Sequence, residues 1–220
     1  MSFNIKNSDL KKITDPENKL IEIFGFPDAG TSSSVLLIAR TLIQKYGVNV
    51  IYVVPPQKSM SHDYLNKLLG KYKDNFRILF IEDYNAQKLL KTIDDFASEA
   101  NYVIIDDFAH YILNHTRSVI KTLLSDLFSK AAQYSNHILV VNQLRYDTTE
   151  SNFHDFEKEY GRFVALYKKY LKQYVQLRLY VNKTNETDIT VSEFSDRINN
   201  KKHNASSNIT DFMKGLIDKL

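Results

Sequence analysis

Short apolar runs alternate with helical patterns along most of this chain, and the alternation restricts the folds it can adopt. Six runs rich in Ile, Leu, Val and Tyr are typical of buried strands. They are Leu20–Phe24, Asn49–Val54, Arg77–Ile81, Tyr102–Ile105, His137–Val141 and Val175–Val181, with Ile189–Phe194 as a candidate antiparallel edge strand. The pattern predicts an α/β domain with a mostly parallel twisted sheet, helices on both faces and an antiparallel C-terminal edge.

Helical spacing of apolar residues marks the segments between these strands. The predicted helices are Ser33–Tyr46, Asp63–Lys73, Asn85–Glu99, Thr116–Tyr134 and Phe156–Leu171. We predict an N-terminal extension at residues 1–18, one core domain at 19–195, a flexible polar linker at 196–208 and a C-terminal helix at 209–220. One domain is expected because 220 residues are enough for one substantial core.

Composition narrows the class of protein. The chain has no cysteine, which excludes disulfides and thiolate metal sites, and its net charge of +3 is too small to indicate nucleic-acid binding by itself. It contains no apolar run of about 18 residues and no signal-like N-terminus. We therefore expect an intracellular protein without membrane association, nuclear if its source is a eukaryote and cytoplasmic otherwise.

The segment between the first strand and the first long helix has the glycine spacing of a phosphate-binding P-loop. It reads Gly25-Phe26-Pro27-Asp28-Ala29-Gly30-Thr31-Ser32. In such a loop backbone N–H groups hold phosphates, a lysine reaches the β- and γ-phosphates, and the final hydroxyl binds magnesium. Thr31 stands where the lysine is needed, and losing a charge-assisted contact weakens binding by about 1.5–3 kcal/mol. The candidate nucleotide ligands here are Gly25, Asp28, Gly30, Thr31, Ser32 and Ser33, with Ser32 also the candidate magnesium ligand.

Two further strands end in polar residues suited to the same site. Tyr102–Ile105 is followed by Asp106 and Asp107, and an aspartate in this position orders magnesium in P-loop enzymes. His137–Val141 is followed by Asn142-Gln143, and Gln143 is a candidate sensor of a γ-phosphate. The simpler interpretation of Asn142-Gln143 is a strand cap.

Taken in order, these segments resemble the RecA/RadA recombinase family across roughly residues 18–195. The likeness includes Leu20-Ile21-Glu22-Ile23-Phe24-Gly25, Asp106-Asp107-Phe108-Ala109-His110-Tyr111, Val140-Val141-Asn142-Gln143, and Gly161-Arg162-Phe163 through Gln176-Leu177-Arg178-Leu179-Tyr180. The resemblance implies a RecA-like P-loop core, with ATP and magnesium as the candidate cofactors. The chain departs from the family at Thr31 and at Val53-Val54-Pro55-Pro56-Gln57, where family enzymes carry a catalytic glutamate. It resembles a core-only, diverged recombinase paralogue.

The resemblance also places two DNA-binding loops. The first lies around Leu113–Arg117 and the second runs from Leu144 to about Glu159. Cations and aromatics suit single-stranded DNA, whereas the acids of the second loop repel phosphates. The candidate DNA contacts are Arg117, Arg145, Tyr146, Lys168 and Lys169, although an ordinary solvated surface is an equal interpretation of the two lysines.

The leading hypothesis is a non-catalytic recombinase paralogue that assists homologous recombination and DNA repair. Its expected partners are a recombinase or other paralogues in a hetero-oligomer, and single-stranded DNA. The first alternative is an active DNA-dependent ATPase in which another cation, such as Lys58 or Arg178 from this or an adjacent subunit, replaces the missing lysine. The second is a regulatory RecA-like module outside recombination.

Overall fold

The computed structural model describes residues 2–26, 29–56, 62–81, 85–112, 116–146, 163–165, 171, 173–183 and 188–194. The strands within this part are β1 (Ser2–Ile5), β2 (Leu20–Gly25), β3 (Val50–Val54), β4 (Phe76–Phe80), β5 (Tyr102–Ile105), β6 (His137–Tyr146), β7 (Phe163–Ala165), β8 (Leu177–Lys183) and β9 (Asp188–Glu193). The helices are α1 (Asn7–Ile13), α2 (Thr31–Tyr46), α3 (His62–Leu69), α4 (Ala86–Phe96), α5 (Phe108–Ile112) and α6 (Arg117–Gln133), with 3₁₀ helices at Gly70–Asn75 and Ala97–Glu99.

One mostly parallel sheet organises the described residues. Its strands follow the order β1-β9-β8-β2-β6-β5-β3-β4, and β7 pairs with β6 outside this path. Strands β8, β2, β6, β5, β3 and β4 are mutually parallel, and β9 runs antiparallel to β8. The prediction of an α/β protein with a mostly parallel sheet and an antiparallel edge is therefore confirmed.

Helices cover both faces of the sheet because its strands are apolar on both sides. On one face, which we call the α2 face, α1 and α2 pack against Ile21, Ile23 and Tyr52. On the other, the α6 face, α4 and α6 pack against Leu20, Ile51 and Val140. Residues alternate between the faces along each strand, so Glu22 and Arg178 belong to the α6 face.

The N-terminal residues join the sheet. Strand β1 pairs in parallel with β9 and so forms the edge beyond the predicted edge strand. Leu10 and Ile13 of α1 are buried in the core on the α2 face. Residues 2–13, which sequence alone assigned to an extension, thus belong to the same α/β unit.

Two local predictions need correction. The helix predicted at Phe156–Leu171 is wrong for residues 163–165, which form β7 and pair antiparallel with the end of β6. The second predicted loop begins too early, because β6 continues through Tyr146. The first error arises because pairing with a neighbouring strand overrides local helix propensity, and the second because the same pairing extends β6 beyond its apolar run. The predicted linker at 196–208 and C-terminal helix at 209–220 lie outside the described residues.

Among the helices that the structure describes, none combines the length and apolar character needed to cross a membrane.

Candidate functional site

The loop between β2 and α2 depends on two glycines for its shape. A Cβ atom on Gly25 would lie 2.9 Å from the Val181 carbonyl oxygen and 3.0 Å from Thr31 Oγ1. Gly30 has φ +77°, in the left-handed region, and a Cβ there would lie 2.8 Å from Ile189 Cδ1. Both positions therefore require glycine, Gly25 for lack of space and Gly30 also for its backbone conformation. Asp28 lies outside the described residues.

The first turn of α2 places the remaining loop candidates at the helix N-terminus. Thr31 is buried, whereas Ser32 and Ser33 are half-buried. The backbone N–H groups of this turn carry the positive end of the helix dipole, which favours an anion. Thr31 contributes a hydroxyl but no charge to this turn.

Asp106 accepts a hydrogen bond from Tyr52, a residue that was not among the candidates predicted from the sequence. The Tyr52 hydroxyl on β3 donates a 2.5 Å hydrogen bond to Asp106 Oδ2, and both residues are fully buried. Burial first, and the negative charge of Asp106 second, raise the pKa of the Tyr52 phenol well above its usual range, so the phenol keeps its proton as donor. A carboxylate enclosed in this way fits a hydrated magnesium ion poorly.

Asp107 and Gln143 meet at the carboxyl edge of the sheet. Gln143 Nε2 donates to Asp107 Oδ2 at 3.3 Å, and the Ala109 backbone N–H donates to Asp107 Oδ1 at 3.3 Å. The peptide bond between Asp106 and Asp107 is cis. The structure thus joins the second and third candidate strands at one edge, as their parallel alignment requires.

A buried ion pair lies beneath this edge, on the α6 face. Arg178 Nε donates to Glu22 Oε2 at 2.6 Å, and Asn142 Nδ2 donates to Glu22 Oε1 at 2.8 Å. The Arg178 guanidinium also lies 4.8 Å from the Phe24 ring centroid and 5.4 Å from that of Phe194. The Asn142 side chain in turn accepts from the Gln143 backbone N–H at 2.9 Å, which links the pair to the site.

Sequence reasoning missed the role of this pair, although a signal for it existed. Glu22 and Arg178 are charged residues inside apolar strands, where an unpaired charge is costly. Two such residues of opposite charge predict each other as partners if their strands are neighbours. Arg178 is also unsuited to replace the P-loop lysine from within this chain, because it is bound to Glu22 on the face opposite α2. The alternative in which Arg178 of this chain replaces the lysine is therefore wrong. Lys58, the other candidate, lies outside the described residues.

The candidate DNA contacts are distributed over several elements. Arg117 is the first residue of α6, and Arg145 and Tyr146 are the last residues of β6, opposite Val164 and Phe163 of β7. Lys168 and Lys169 lie outside the described residues. In the part of the chain that the structure describes, no three His, Asp or Glu side chains converge as a metal-ligand group.

Two comparisons with known proteins were negative. A scan against models of protein families matches none of them, and a search of curated proteins finds no similar sequence. The fold therefore defines the class: an α/β protein with a mostly parallel sheet and an antiparallel edge.

Proposed function

We propose that this chain is a RecA-like recombinase paralogue that acts without catalysis, as an accessory subunit in homologous recombination and DNA repair. It works in a complex with a recombinase or with other paralogues. The observation that carries the proposal is the Tyr52–Asp106 hydrogen bond at the edge of a P-loop-like turn that has Thr31 in place of lysine. At this candidate site the lysine is replaced by Thr31, and the aspartate is buried and accepts from a phenol.

The strand order supports the RecA-like part of the proposal. Strand β6 lies between β2, which leads into the glycine loop, and β5, which ends at Asp106. Gln143, near the end of β6, therefore lies between the phosphate loop and the carboxylates. A γ-phosphate sensor must reach both groups, so this order is the one the resemblance requires.

Three features of the site support the absence of catalysis. Thr31 is neutral, so no loop lysine balances charge that develops on a phosphoryl group. After β3 the chain continues with Pro55 and Pro56, neither of which can orient an attacking water. Asp106 is fully buried and accepts from a phenol, an arrangement that favours a structural role.

Association with a recombinase is the direct test. The full-length chain, co-expressed with the RecA-type recombinases and paralogues of its source organism, is expected to co-purify with at least one of them. A chain that remains monomeric and ignores recombinase filaments would contradict the proposal. Gly30→Ala serves as a loop variant, and Gly47→Ala, which alters a left-handed glycine at the other end of α2, is its matched control.

Turnover measurements separate the proposal from the ATPase alternative. We expect no DNA-stimulated ATP hydrolysis by the chain alone, and no change with Ser32→Ala or Asp106→Ala. Hydrolysis that both variants abolish would overturn the non-catalytic assignment. Thermal unfolding with and without magnesium and ATP measures binding separately, because a ligand of the native state raises stability by mass action.

A further inference from the structure

The loop between β2 and α2 packs against the two strands at the antiparallel edge of the sheet. A Cβ atom on Gly25 would lie 2.9 Å from the carbonyl oxygen of Val181 in β8. A Cβ atom on Gly30 would lie 2.8 Å from the Cδ1 atom of Ile189 in β9. Because Gly30 has φ +77°, Ile189 packs against the left-handed turn itself. The shape of the loop therefore depends on where β9 lies.

Strand β1 lies on the other side of Ile189. Phe3 of β1 is its register partner, and residues directly opposite on neighbouring strands point to the same face of a sheet. On the α2 face, Ile189 is fully buried in the core and Phe3 is half-buried against it. Ala29, which precedes Gly30 in the loop, belongs to the same core. The path from β1 to the loop thus runs through Ile189.

Helix α1 is anchored independently of β1. It buries Leu10 in the core, and its first residue, Asn7, accepts a 2.9 Å hydrogen bond from Lys45 Nζ of α2. Lys12 adds an ion pair with Glu193 of β9. Each of these contacts is made by α1 itself, so α1 can stay in place when β1 separates from β9.

Strand β1 is held less firmly than α1. Its four residues pair with β9 alone among the strands that the structure describes. Of its side chains, Phe3 and Ile5 are half-buried and Asn4 is exposed. Lys6, which joins β1 to α1, has an extended backbone and makes no side-chain hydrogen bond to the helix. A short edge element with little buried surface opens locally at low free-energy cost, and Lys6 is the point about which β1 can move.

We propose that β1 (Ser2–Ile5) is a strap that keeps Ile189 packed against Gly30, and that release of the strap frees the β2–α2 loop to change shape. With the strap in place, β9 is an inner strand and Ile189 is supported on both sides. When the strap opens at Lys6, β9 becomes the edge strand, and the left-handed turn loses its support. The N-terminal residues therefore control the conformation of the candidate site.

The strap goes beyond the proposed function. It concerns the shape of the loop in the chain by itself and requires no nucleotide, no nucleic acid and no recombinase. Failure to co-purify with a recombinase would leave the strap untouched, and a loop that is independent of β1 would leave the proposed function untouched.

A thermodynamic cycle in the full-length chain tests the strap. We measure by urea denaturation the factor by which Gly30→Ala lowers the folding equilibrium constant, in the wild type and in Phe3→Ala. We expect that factor to be about fivefold smaller in Phe3→Ala, because the released loop can accommodate a side chain. Gly47→Ala, at the other end of α2, is the matched control, and its factor should agree within about twofold in the two backgrounds. Asn4→Ala, which alters the exposed side of the same strand, should leave both factors unchanged.

Hydrogen exchange measured by NMR locates the effect. The amides of Ala29 and Ser34 donate backbone hydrogen bonds in the loop and the first turn of α2, at 3.1 and 2.8 Å. The Asp106 amide donates to Val53 at 2.9 Å, away from β9 in the strand order. In Phe3→Ala we expect the exchange rates of the two loop amides to rise roughly tenfold relative to that of Asp106.

Three results would overturn the inference. Equal factors for Gly30→Ala in the two backgrounds would show that β1 and the loop are independent. A change in the Gly47→Ala factor as large as that for Gly30→Ala would reduce the effect to general destabilisation. Loop amides that accelerate no more than the Asp106 amide would lead to the same conclusion. If Phe3→Ala does not fold, Phe3→Leu replaces it in the cycle and should give a coupling of the same sign and smaller size.

Discussion

The Tyr52 hydroxyl donates to the Asp106 carboxylate across two neighbouring parallel strands, at 2.5 Å and out of contact with solvent. Hydrogen bonds to charged groups contribute about 1.5–3 kcal/mol. We expect Tyr52→Phe to lower the free energy of unfolding by that amount, measured by urea denaturation. Tyr102→Phe is the matched control, since Tyr102 is also buried in the sheet and stacks on His137 instead. Equal losses in the two variants would show that the carboxylate contact contributes nothing specific.

Breaking the ion pair between Glu22 and Arg178 should lower the free energy of unfolding far more than breaking an ion pair on the surface. Removing one partner of a buried pair costs about 3–5 kcal/mol, because the other charge remains buried. Exposed pairs contribute about 0–1 kcal/mol. We expect Glu22→Gln to destabilise the fold by the larger amount and Glu99→Gln, which breaks a 3.0 Å surface pair with Arg77, by the smaller. Similar values from chemical denaturation would contradict the role of burial.

Gly30 and Gly47 offer a matched pair for the shape of the loop. Both have positive φ, but a Cβ on Gly47 meets nothing within 4 Å, whereas one on Gly30 meets Ile189 Cδ1 at 2.8 Å. Gly47→Ala is expected to cost about 1–2 kcal/mol for the left-handed backbone alone, and Gly30→Ala clearly more. If the clash is the cause, Gly30→Ala combined with Ile189→Ala will cost less than the sum of the single changes.

His137 should make stability fall in mild acid. Its ring stacks on Tyr102 and its Nδ1 lies 2.8 Å from the Asn18 carbonyl oxygen, and burial lowers its pKa below the usual value. Between the unfolded pKa of about 6.5 and the lower native value, the unfolded chain binds the proton that the native state excludes. Stability is therefore expected to fall as pH decreases from about 7.5 to about 5.5.

The readout is urea denaturation across that pH range, with the His137 ring titrated by NMR. His137→Gln should remove the part of the pH dependence that comes from this residue. A native His137 pKa above that of an unfolded histidine would reverse the predicted sign.

Buried tyrosines should lower stability in alkali. Burial raises the pKa of Tyr102 and Tyr180 above the value of about 10 in an unfolded chain. Above that pH the unfolded state releases protons that the native state keeps, so stability falls as pH rises, by up to about 1.4 kcal/mol per pH unit for each tyrosine. Denaturation at about pH 9 and about pH 11 measures the slope. Tyr102→Phe or Tyr180→Phe should flatten it, and an unchanged slope in both would refute the assignment.

The apolar pattern of the sequence was sufficient to predict most strands of the sheet. The apolar runs placed β2, β3, β5 and β8 within two residues of their observed limits, because a strand buried on both faces must be apolar along its length. The pattern failed where pairing decides the structure. Phe163–Ala165 is a strand because the end of β6 lies beside it, and Ser2–Ile5 because β9 does.

The candidate site likewise contains residues that the sequence predicted and one, Tyr52, that it did not. Gly25, Gly30, Asp106 and Gln143 were chosen as candidates from residue type and spacing, since phosphate chemistry uses those types after successive strands, and Thr31 because it stands where a lysine is needed. Tyr52 was not found, because a tyrosine in an apolar strand gives no indication of its partner. Only the register of β3 against β5 brings its hydroxyl to Asp106.

By itself, then, the amino-acid sequence determined an α/β protein and a glycine loop without its lysine. The tertiary structure decided that Asp106 accepts from Tyr52 and that Glu22 pairs with Arg178. The physical reason is separation along the chain. Periodicity acts over a few residues, whereas these contacts join strands and helices brought together only when the sheet has formed.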